Sequence, residues 1–255
     1  MDYQNVAIEH HGDVALVRFD RGGSLNAFNQ ATILELTDVA KRFQDDAKTR
    51  SVVLTGTTKA FSAGIDLNDD ATWAPLDDDV ELRERFYRGV KLCKAWEEMP
   101  QITIAAIDGM AVGAGAAIGL ACDWRVMAED SYLYVPEVKI GLNLQWGALP
   151  RLITLVGPAR AKRIVVLCEK MGAQQALDWG LIEEIGGPAG AVDAAMKMAQ
   201  TAAEMPAVTV RLVKEAINAT ANALHQVSVY ADADQSQLSR GFKEGIAARE
   251  GFPKK

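Results

Sequence analysis

Small residues recur, and carboxylates are few, in three stretches that each follow a predicted strand: KAFSAGIDL at 59–67, DGMAVGAGAAIGLACD at 108–123 and YVPEVKIGLNLQWGALPRL at 134–152. In open α/β sheets, ligands bind beyond the carboxyl ends of the strands. The first two stretches place small residues at the start of a helix, where free backbone N–H groups point outward and the helix dipole favours negative charge. Two such N–H groups directed at one point would form an oxyanion hole.

The segments around these stretches predict the elements that position them. Two strand-like runs, NVAIEHH and VALVRF, flank Gly12 and Asp13 and predict an opening β-hairpin. A helix is predicted over 29–43 with Asn29 as its N-cap, and the short buried strand SVVLTG follows it. ITIAAIDG and WRVMAED predict two further strands, separated by the small-residue run, which suits a helix packed closely on a sheet.

Beyond Gly147 the sequence predicts mainly helices. Apolar residues recur at helical spacing, with little strand signal, in five segments: 147–156, 158–169, 189–203, 206–223 and 226–248. The acidic segment 68–85, NDDATWAPLDDDVELRER, is typical of a loop that enters a helix. It is either a lid over a site or a solvated face of the surface.

Composition and charge exclude several classes of protein. The chain has 255 residues, 49% of them hydrophobic, which is enough for a substantial core. A net charge of −7 argues against a nucleic-acid partner, because phosphate backbones are bound mainly through Lys and Arg. No uncharged apolar stretch reaches the roughly 18 residues of a membrane span, and the first residues lack the layout of a signal peptide. We therefore expect a cytoplasmic protein with no membrane partner.

The sequence contains no pattern that predicts a metal site. Its three histidines have no second histidine or carboxylate at ligand spacing, and its three cysteines are widely separated in apolar surroundings. We expect the cysteines to be buried packing residues. These six residues are His10, His11, His225, Cys93, Cys122 and Cys168.

Four segments, AFSAGIDL, GMAVGAGAAIGLACDWRVMAED, PEVKIG and QALDWGLIEEI, resemble in order and spacing the signature stretches of the crotonase superfamily, the enoyl-CoA hydratases and isomerases. With SLNAFN near the start and FKEGIAARE near the end, the resemblance covers almost the whole chain. It implies an α/β fold with a crotonase-like ββα spiral as an acyl-CoA-binding core over 1–195 and a helical trimerisation region over 196–255. It also implies a homotrimer or a dimer of trimers. The substrate would be an acyl-CoA thioester, with no cofactor besides the coenzyme A that the substrate carries.

The resemblance also implies roles for individual residues. The backbone N–H groups of Ala63 and Ala114 would bind the thioester carbonyl and stabilise an enolate, and small neighbours would let the thioester approach them closely. Glu137 would be the catalytic base. The remaining substrate-binding positions would be Asp66, Leu67, Gly113, Ala117, Gln145 and Trp146.

One departure from the family pattern bears on the reaction. Hydratases of the family hold water between two glutamates, whose positions fall here at Ala117 and Glu137, so that only one carboxylate is present. A methyl group cannot orient water or transfer a proton, whereas a single base suffices to move the double bond of a 3-enoyl-CoA to the 2-position. We therefore expect an isomerase. The nucleophilic carboxylate of the related aryl-CoA dehalogenases would fall at about Gln145, an amide that cannot form the ester intermediate.

Other readings stay open. Hydration stays open if Asn143, Gln145 or a residue of the lid positions the water, and so do retro-Claisen hydrolysis and decarboxylation, which also use an oxyanion hole. Trp146, together with Trp73 in the lid, would shape the acyl pocket. From other classes, GAGAAIG is also a glycine pattern of dinucleotide-binding turns, and a CoA-binding protein without catalysis is a third reading. The coenzyme A phosphates need local cations, for which the C-terminal segment offers Lys243, Arg249, Lys254 and Lys255.

Overall fold

The computed structural model describes residues 3–187 and 190–251, and its main sheet begins with the predicted hairpin. Strands β1 (Val6–His11) and β2 (Val14–Phe19) pair antiparallel. The other strands are β3 (Ser51–Thr55), β4 (Ile102–Ile107), β5 (Met110–Val112), β6 (Trp124–Ala128), β7 (Tyr132–Tyr134), β8 (Met171–Gly172) and β9 (Glu184–Gly186). The main sheet has the order β1-β2-β3-β4-β6-β9, and every pair after the first is parallel. A small sheet of order β5-β7-β8 lies beside it.

Helices separate the strands and fill the second half of the chain. The first four helices are α1 (Gln30–Gln44), α2 (Asp70–Trp73), α3 (Asp79–Glu97) and α4 (Ala114–Ala121). The later ones are α5 (Ala148–Val166), α6 (Ala173–Asp178), α7 (Ala191–Ala203), α8 (Ala207–Ala221), α9 (His225–Val229), α10 (Asp232–Gly241) and α11 (Lys243–Glu250). Short 3₁₀ turns lie at Ser24–Asn26 and Glu137–Ile140.

The central strands are covered on both faces, as a parallel sheet requires. Every residue of β3 and β4 is buried, because one face shares a hydrophobic core with residues of α1 and α3, and α7 packs over the other face. The face of α7 that meets the sheet is a stripe of alanines at intervals of four residues, which lets the helix approach closely. That stripe consists of Ala191, Ala195, Ala199 and Ala203.

Several local predictions are confirmed. Asn29 caps α1, since its side chain accepts the N–H of Thr32 at 2.9 Å. The small-residue run forms helix α4, which is buried from Gly115 to Ala121. All three cysteines are free and buried. No helix within the described residues is long and apolar enough to cross a membrane.

The helix boundaries in the second half agree with the prediction in part. The predicted break between the segments 147–156 and 158–169 is present, because the helical backbone of α5 is interrupted at Gly157, where φ is 76° and ψ is 164°. The segment 226–248 instead divides into α9, α10 and α11, because the backbone is extended at Phe242. The expected boundary at 195 falls inside α7, whose alanine stripe continues to Ala203 on the main sheet. Helix α7 therefore packs as part of the core.

Candidate functional site

A cavity beside the start of α4 brings the three predicted stretches together. It is bounded by Ile65 and Leu67 of the first stretch, by Gly113, Ala114 and Ala117 of the second, and by Glu137, Gln145 and Trp146 of the third. The rest of its wall comes mainly from α1, α2 and α3, and the acidic segment contributes α2 and the start of α3. The residues of that wall include Thr72, Trp73, Arg85, Phe86 and Gly89.

The carboxylate of Glu137 lies at the start of the 3₁₀ turn, directly against the backbone of Gly113. A Cβ at Gly113 would come within 2.7 Å of Oε1, and the φ of 51° at this residue also favours glycine. Although part of Glu137 reaches the surface, its Oε2 is shielded from solvent and has no hydrogen-bond partner within the described residues. Burial raises the pKa of Glu137 to about 7, because removal from water disfavours the charged form.

The N–H of Ala114 is available to a ligand. Ala114 is the first residue of α4, Gly113 supplies no side-chain cap, and within the described residues the Ala114 N–H has no acceptor. The neighbouring N–H of Gly113 is already donated to the carbonyl of Tyr134 at 2.8 Å. A free N–H at a helix N-terminus beside a cavity is suited to binding a developing negative charge.

The structure does not support Ala63 as the second donor. Its N–H is donated to the carbonyl of Leu25 at 3.0 Å, and Ala63 does not line the cavity. Ile65 lies two residues further on, lines the cavity, and has an N–H without an acceptor among the described residues. The prediction of Ala63 is therefore wrong, and Ile65 takes its place in the geometry.

Pairing with a distant residue determines which N–H faces the cavity. Phe28 donates to the carbonyl of Gly64 at 2.7 Å and accepts from the N–H of Asp66 at 2.8 Å, which leaves the N–H of Ile65 unpaired between them. Gly64 has a φ of 94°, and a Cβ there would lie 2.8 Å from the carbonyl oxygen of Val112. Glycine thus allows the first stretch to lie against the start of α4.

Two further predicted residues lie in the cavity wall. Ala117 is 1% exposed and presents only a methyl group to the cavity. The indole of Trp146 packs directly on Gly89, where a Cβ would come within 1.9 Å of the ring, and it meets Phe28 edge to face at 5.9 Å. The backbone of Trp146 has a φ of 64°, an unfavourable value for a bulky residue. Tertiary packing therefore holds this indole as the floor of the cavity.

Gln145 and Asn143 have different surroundings. Gln145 lines the cavity, and its Oε1 is buried without a hydrogen-bond partner among the described residues. Asn143 does not line the cavity, and its amide donates to the carbonyl of Asp232 at 3.3 Å. Of the two, only Gln145 is placed where it could hold a water molecule at the site.

Of the predicted positions near the mouth of the cavity, one lines it and one does not. Leu67 is 55% exposed at the rim, whereas Asp66 lies outside the lining and pairs with Arg21. The indole N–H of Trp73 donates to the carbonyl of Asp66 at 2.7 Å, which fixes Trp73 in the wall. The acidic segment is thus part of the wall of the site as well as a surface face.

The predicted cations of the C-terminal segment differ in their surroundings. Arg249 donates to the carbonyls of Ile140 and Arg240. Lys243 is exposed at the first position of α11. Lys254 and Lys255 lie outside the described residues.

A second cavity lies against α8, but its charged groups are already paired. Lys214 contacts Asp123 at 2.6 Å and Arg151 contacts Glu97 at 2.8 Å, and all four side chains line this cavity. The dinucleotide-binding reading also lacks support, because the glycine run follows the short strand β5 and Glu137 lies against that run instead of ending the next strand of the main sheet.

Comparisons with known proteins agree on the family to which this chain is similar. The sequence profile described as enoyl-CoA hydratase/isomerase matches residues 9–251. The chain is 32% identical over 219 residues to a short-chain-enoyl-CoA hydratase of Clostridium acetobutylicum, covering 86% of this chain and 82% of that protein. It is 30% identical over 241 residues to the 1,2-epoxyphenylacetyl-CoA isomerase of Escherichia coli K12, covering 92% and 91%.

The solved structures include a near match in fold. An enoyl-CoA hydratase/isomerase from Mycobacterium paratuberculosis superposes with a TM-score of 0.88 over 98% of both chains, at 24% identity. At that identity the likeness concerns the fold alone. The expected ββα spiral core followed by helices is thereby confirmed.

Proposed function

Because the chain belongs to the enoyl-CoA hydratase/isomerase family, we propose that it acts on acyl-CoA thioesters with Glu137 as a single catalytic carboxylate. Its favoured reaction is transfer of the double bond of a 3-enoyl-CoA to the 2-position. The observation that carries this proposal is the cavity itself, in which the shielded carboxyl of Glu137 shares the lining with two N–H groups that have no acceptor among the described residues, while Ala117 supplies no second carboxylate.

Each step of the reaction has a residue to perform it. The thioester oxygen accepts hydrogen bonds from the N–H groups of Ile65 and Ala114, and Glu137 removes a proton from C2. The electron pair then spreads over the dienolate, whose negative oxygen the two N–H groups stabilise. Glu137 returns the same proton to C4, so that the double bond moves and no other reactant is consumed.

The direct test is a comparison of two reactions of the unmodified protein. We expect a 3-enoyl-CoA to be isomerised faster than crotonyl-CoA is hydrated, because hydration lacks the second carboxylate. Both reactions can be followed by the absorbance of the conjugated thioester. Hydration that outruns isomerisation would contradict the proposal.

The pH dependence follows from the burial of Glu137. The pKa of its carboxyl is raised to about 7, so the basic form accumulates only as the pH rises through neutrality. We therefore expect kcat/KM for a 3-enoyl-CoA to increase tenfold per pH unit below about 7 and to level off above it, since kcat/KM reports the free enzyme. A profile that is flat across neutral pH would remove Glu137 as the base.

Hydration by an unconventional water site is the second candidate. Gln145 supports it, because its buried Oε1 lacks a partner and lines the same cavity as Glu137. An amide oxygen can accept a hydrogen bond from a water molecule but cannot transfer a proton. In this reading Glu137 would perform all the proton transfer while Gln145 positions the water.

Assembly into a trimer or a dimer of trimers is also part of the proposal. Over the whole of α8 only Lys214 is buried, and the large apolar side chains of this helix face outward, except for Val210, which packs against the core. Exposed apolar surface of this extent marks an interaction site. The exposed side chains on α8 are Val208, Leu212, Val213 and Ile217.

We expect light scattering at micromolar concentration to give a mass of three or six subunits. Replacing Leu212 and Ile217 together with Lys should shift the mass toward smaller species, because each adds a charge to an apolar contact. The matched control places Lys at Thr220, a polar and exposed position on the same helix. A wild-type monomer would contradict the proposed assembly.

A further inference from the structure

One side chain of the cavity is unusual for a pocket that holds a hydrocarbon chain. Arg85, on α3, lines the cavity and is only 6% exposed. Its guanidinium donates to the carbonyl of Ala74 at 2.7 Å and more weakly to that of Ala71 at 3.4 Å. Its Nε is shielded from solvent and has no partner within the described residues.

Two more arginines approach Arg85 from the C-terminal helices. Arg240 of α10 lies 4.3 Å from the ring centre of Trp73 and 5.9 Å from that of Phe86, two residues of the cavity wall. Burial, together with the positive charges of Arg249 and Arg85, lowers the pKa of Arg240. Arg85 lies 5.7 Å from the ring centre of Phe86, so that the guanidinium groups of Arg85 and Arg240 both lie beside this ring, and Arg249 donates to the carbonyl of Arg240.

No carboxylate of the described residues compensates these charges. None of the ion pairs among the described residues includes Arg85, Arg240 or Arg249. A buried cation without an anion is costly, and a protein of net charge −7 has many carboxylates that could have served. The cluster thus lacks an anion that a ligand can supply.

The position of the cluster indicates which part of the ligand carries this anion. Arg85 shares the cavity with Glu137, the proposed base, but the two groups lie at different parts of its wall. Arg85 donates to the carbonyl of Ala74 at the end of α2, whereas Glu137 lies against Gly113 at the start of α4. The phosphates of coenzyme A are separated from the thioester by the long pantetheine arm, so an anion inside the acyl cavity belongs to the acyl group.

We propose that the acyl group carries a second, free carboxylate, so that the substrate is a coenzyme A monothioester of a dicarboxylic acid. Arg85 binds this carboxylate directly, and Arg240 and Arg249 add to the positive potential. The inference rests on the proposed function only in that the thioester is placed beside Glu137. It adds the chemical class of the substrate.

Saturated thioesters test this inference without catalysis. Titration calorimetry compares succinyl-, glutaryl- and adipyl-CoA with butyryl-, pentanoyl- and hexanoyl-CoA, each diacid against the monoacid of the same carbon number. A charge-assisted hydrogen bond predicts about ten- to hundredfold tighter binding of the diacid at the length that reaches Arg85. Equal affinity within all three pairs would overturn the proposal.

The variant Arg85→Met separates this role from two others. We expect it to remove the preference for the diacid while the affinities for the monoacid and for free coenzyme A stay unchanged. The control Lys94→Met removes a positive charge from an exposed position of the same helix and should leave the preference intact. Equal weakening of diacid and monoacid would mean that Arg85 only holds α2 in place. Weaker binding of free coenzyme A would mean that it contacts the phosphates, and either result contradicts the proposal.

A second variant covers the case in which Arg85→Met does not fold. Arg240→Gln, at a half-buried position, should reduce the preference for the diacid several-fold, and an unchanged preference would count against the proposal. The titrations also distinguish this inference from the proposed reaction. Isomerisation of a 3-enoyl-CoA without a preference for diacids would support the proposed function and contradict this inference. A preference for diacids without isomerisation would support this inference and contradict the proposed function.

Discussion

Replacing Glu137 with Gln lowers the rate of 3-enoyl-CoA isomerisation by at least about 10²–10⁴-fold, the usual contribution of a general base. The amide has nearly the shape of the carboxyl group but cannot accept the C2 proton. The N–H groups of Ile65 and Ala114 remain in place, so we expect KM to change little and the loss to appear in kcat. Steady-state rates with a 3-enoyl-CoA measure both constants. The control Glu98→Gln removes the same negative charge at an exposed residue.

The same variant should also be more stable above neutral pH. The folded protein raises the pKa of Glu137 to about 7 from the ordinary value of 4.5, so ionisation of this buried group opposes folding once the pH exceeds 4.5. The opposition grows as the pH rises and is complete above about 7. Glu137→Gln removes it, so Tm should exceed that of the wild type at pH 8 and match it in acid. Unchanged turnover would exclude Glu137 as the base, and a lower Tm at pH 8 would mean that the carboxylate is stabilised in the fold.

Replacing Ala117 with Glu raises the rate of crotonyl-CoA hydration by about 10²–10⁴-fold, because it adds a second acid–base group to the cavity. Ala117 is 1% exposed and lines the cavity with Glu137, so a carboxylate there can share a water molecule with Glu137. Crowding in this buried position limits the gain. Initial rates of hydration for wild type and variant give the ratio directly.

Two companion variants decide what a change in hydration means. Ala117→Gln has the same size as Ala117→Glu without its acid, so a rise with Glu alone identifies proton transfer as the cause. Gln145→Met removes the buried Oε1 and keeps the volume. Rapid wild-type hydration that is unaffected by Ala117→Glu and lost in Gln145→Met would replace the isomerase proposal with the hydratase that uses Gln145.

Local sequence patterns were sufficient to predict much of the fold. The β1–β2 hairpin, the Asn29 cap and the buried strands β3 and β4 each depend on residues close together in the chain, so their patterns predicted them. A free N–H at Ala114 also follows from a local feature, because Ala114 is the first residue of a helix and no acceptor for its N–H lies among the described residues. The resemblance to a family supplied the order in which these pieces assemble.

Other features depend on residues that are far apart in the chain, and no local pattern predicts them. Whether Ala63 or Ile65 offers a free N–H is decided by hydrogen bonds to Leu25 and Phe28, which lie 35 or more residues earlier. Arg85 belongs to an acidic, solvent-typical segment, yet packing of α3 against the cavity buries its guanidinium. Composition determined that the segment is polar. Only the tertiary structure decided which of its charges lost contact with water, because burial depends on the elements that cover a side chain and not on its neighbours in sequence.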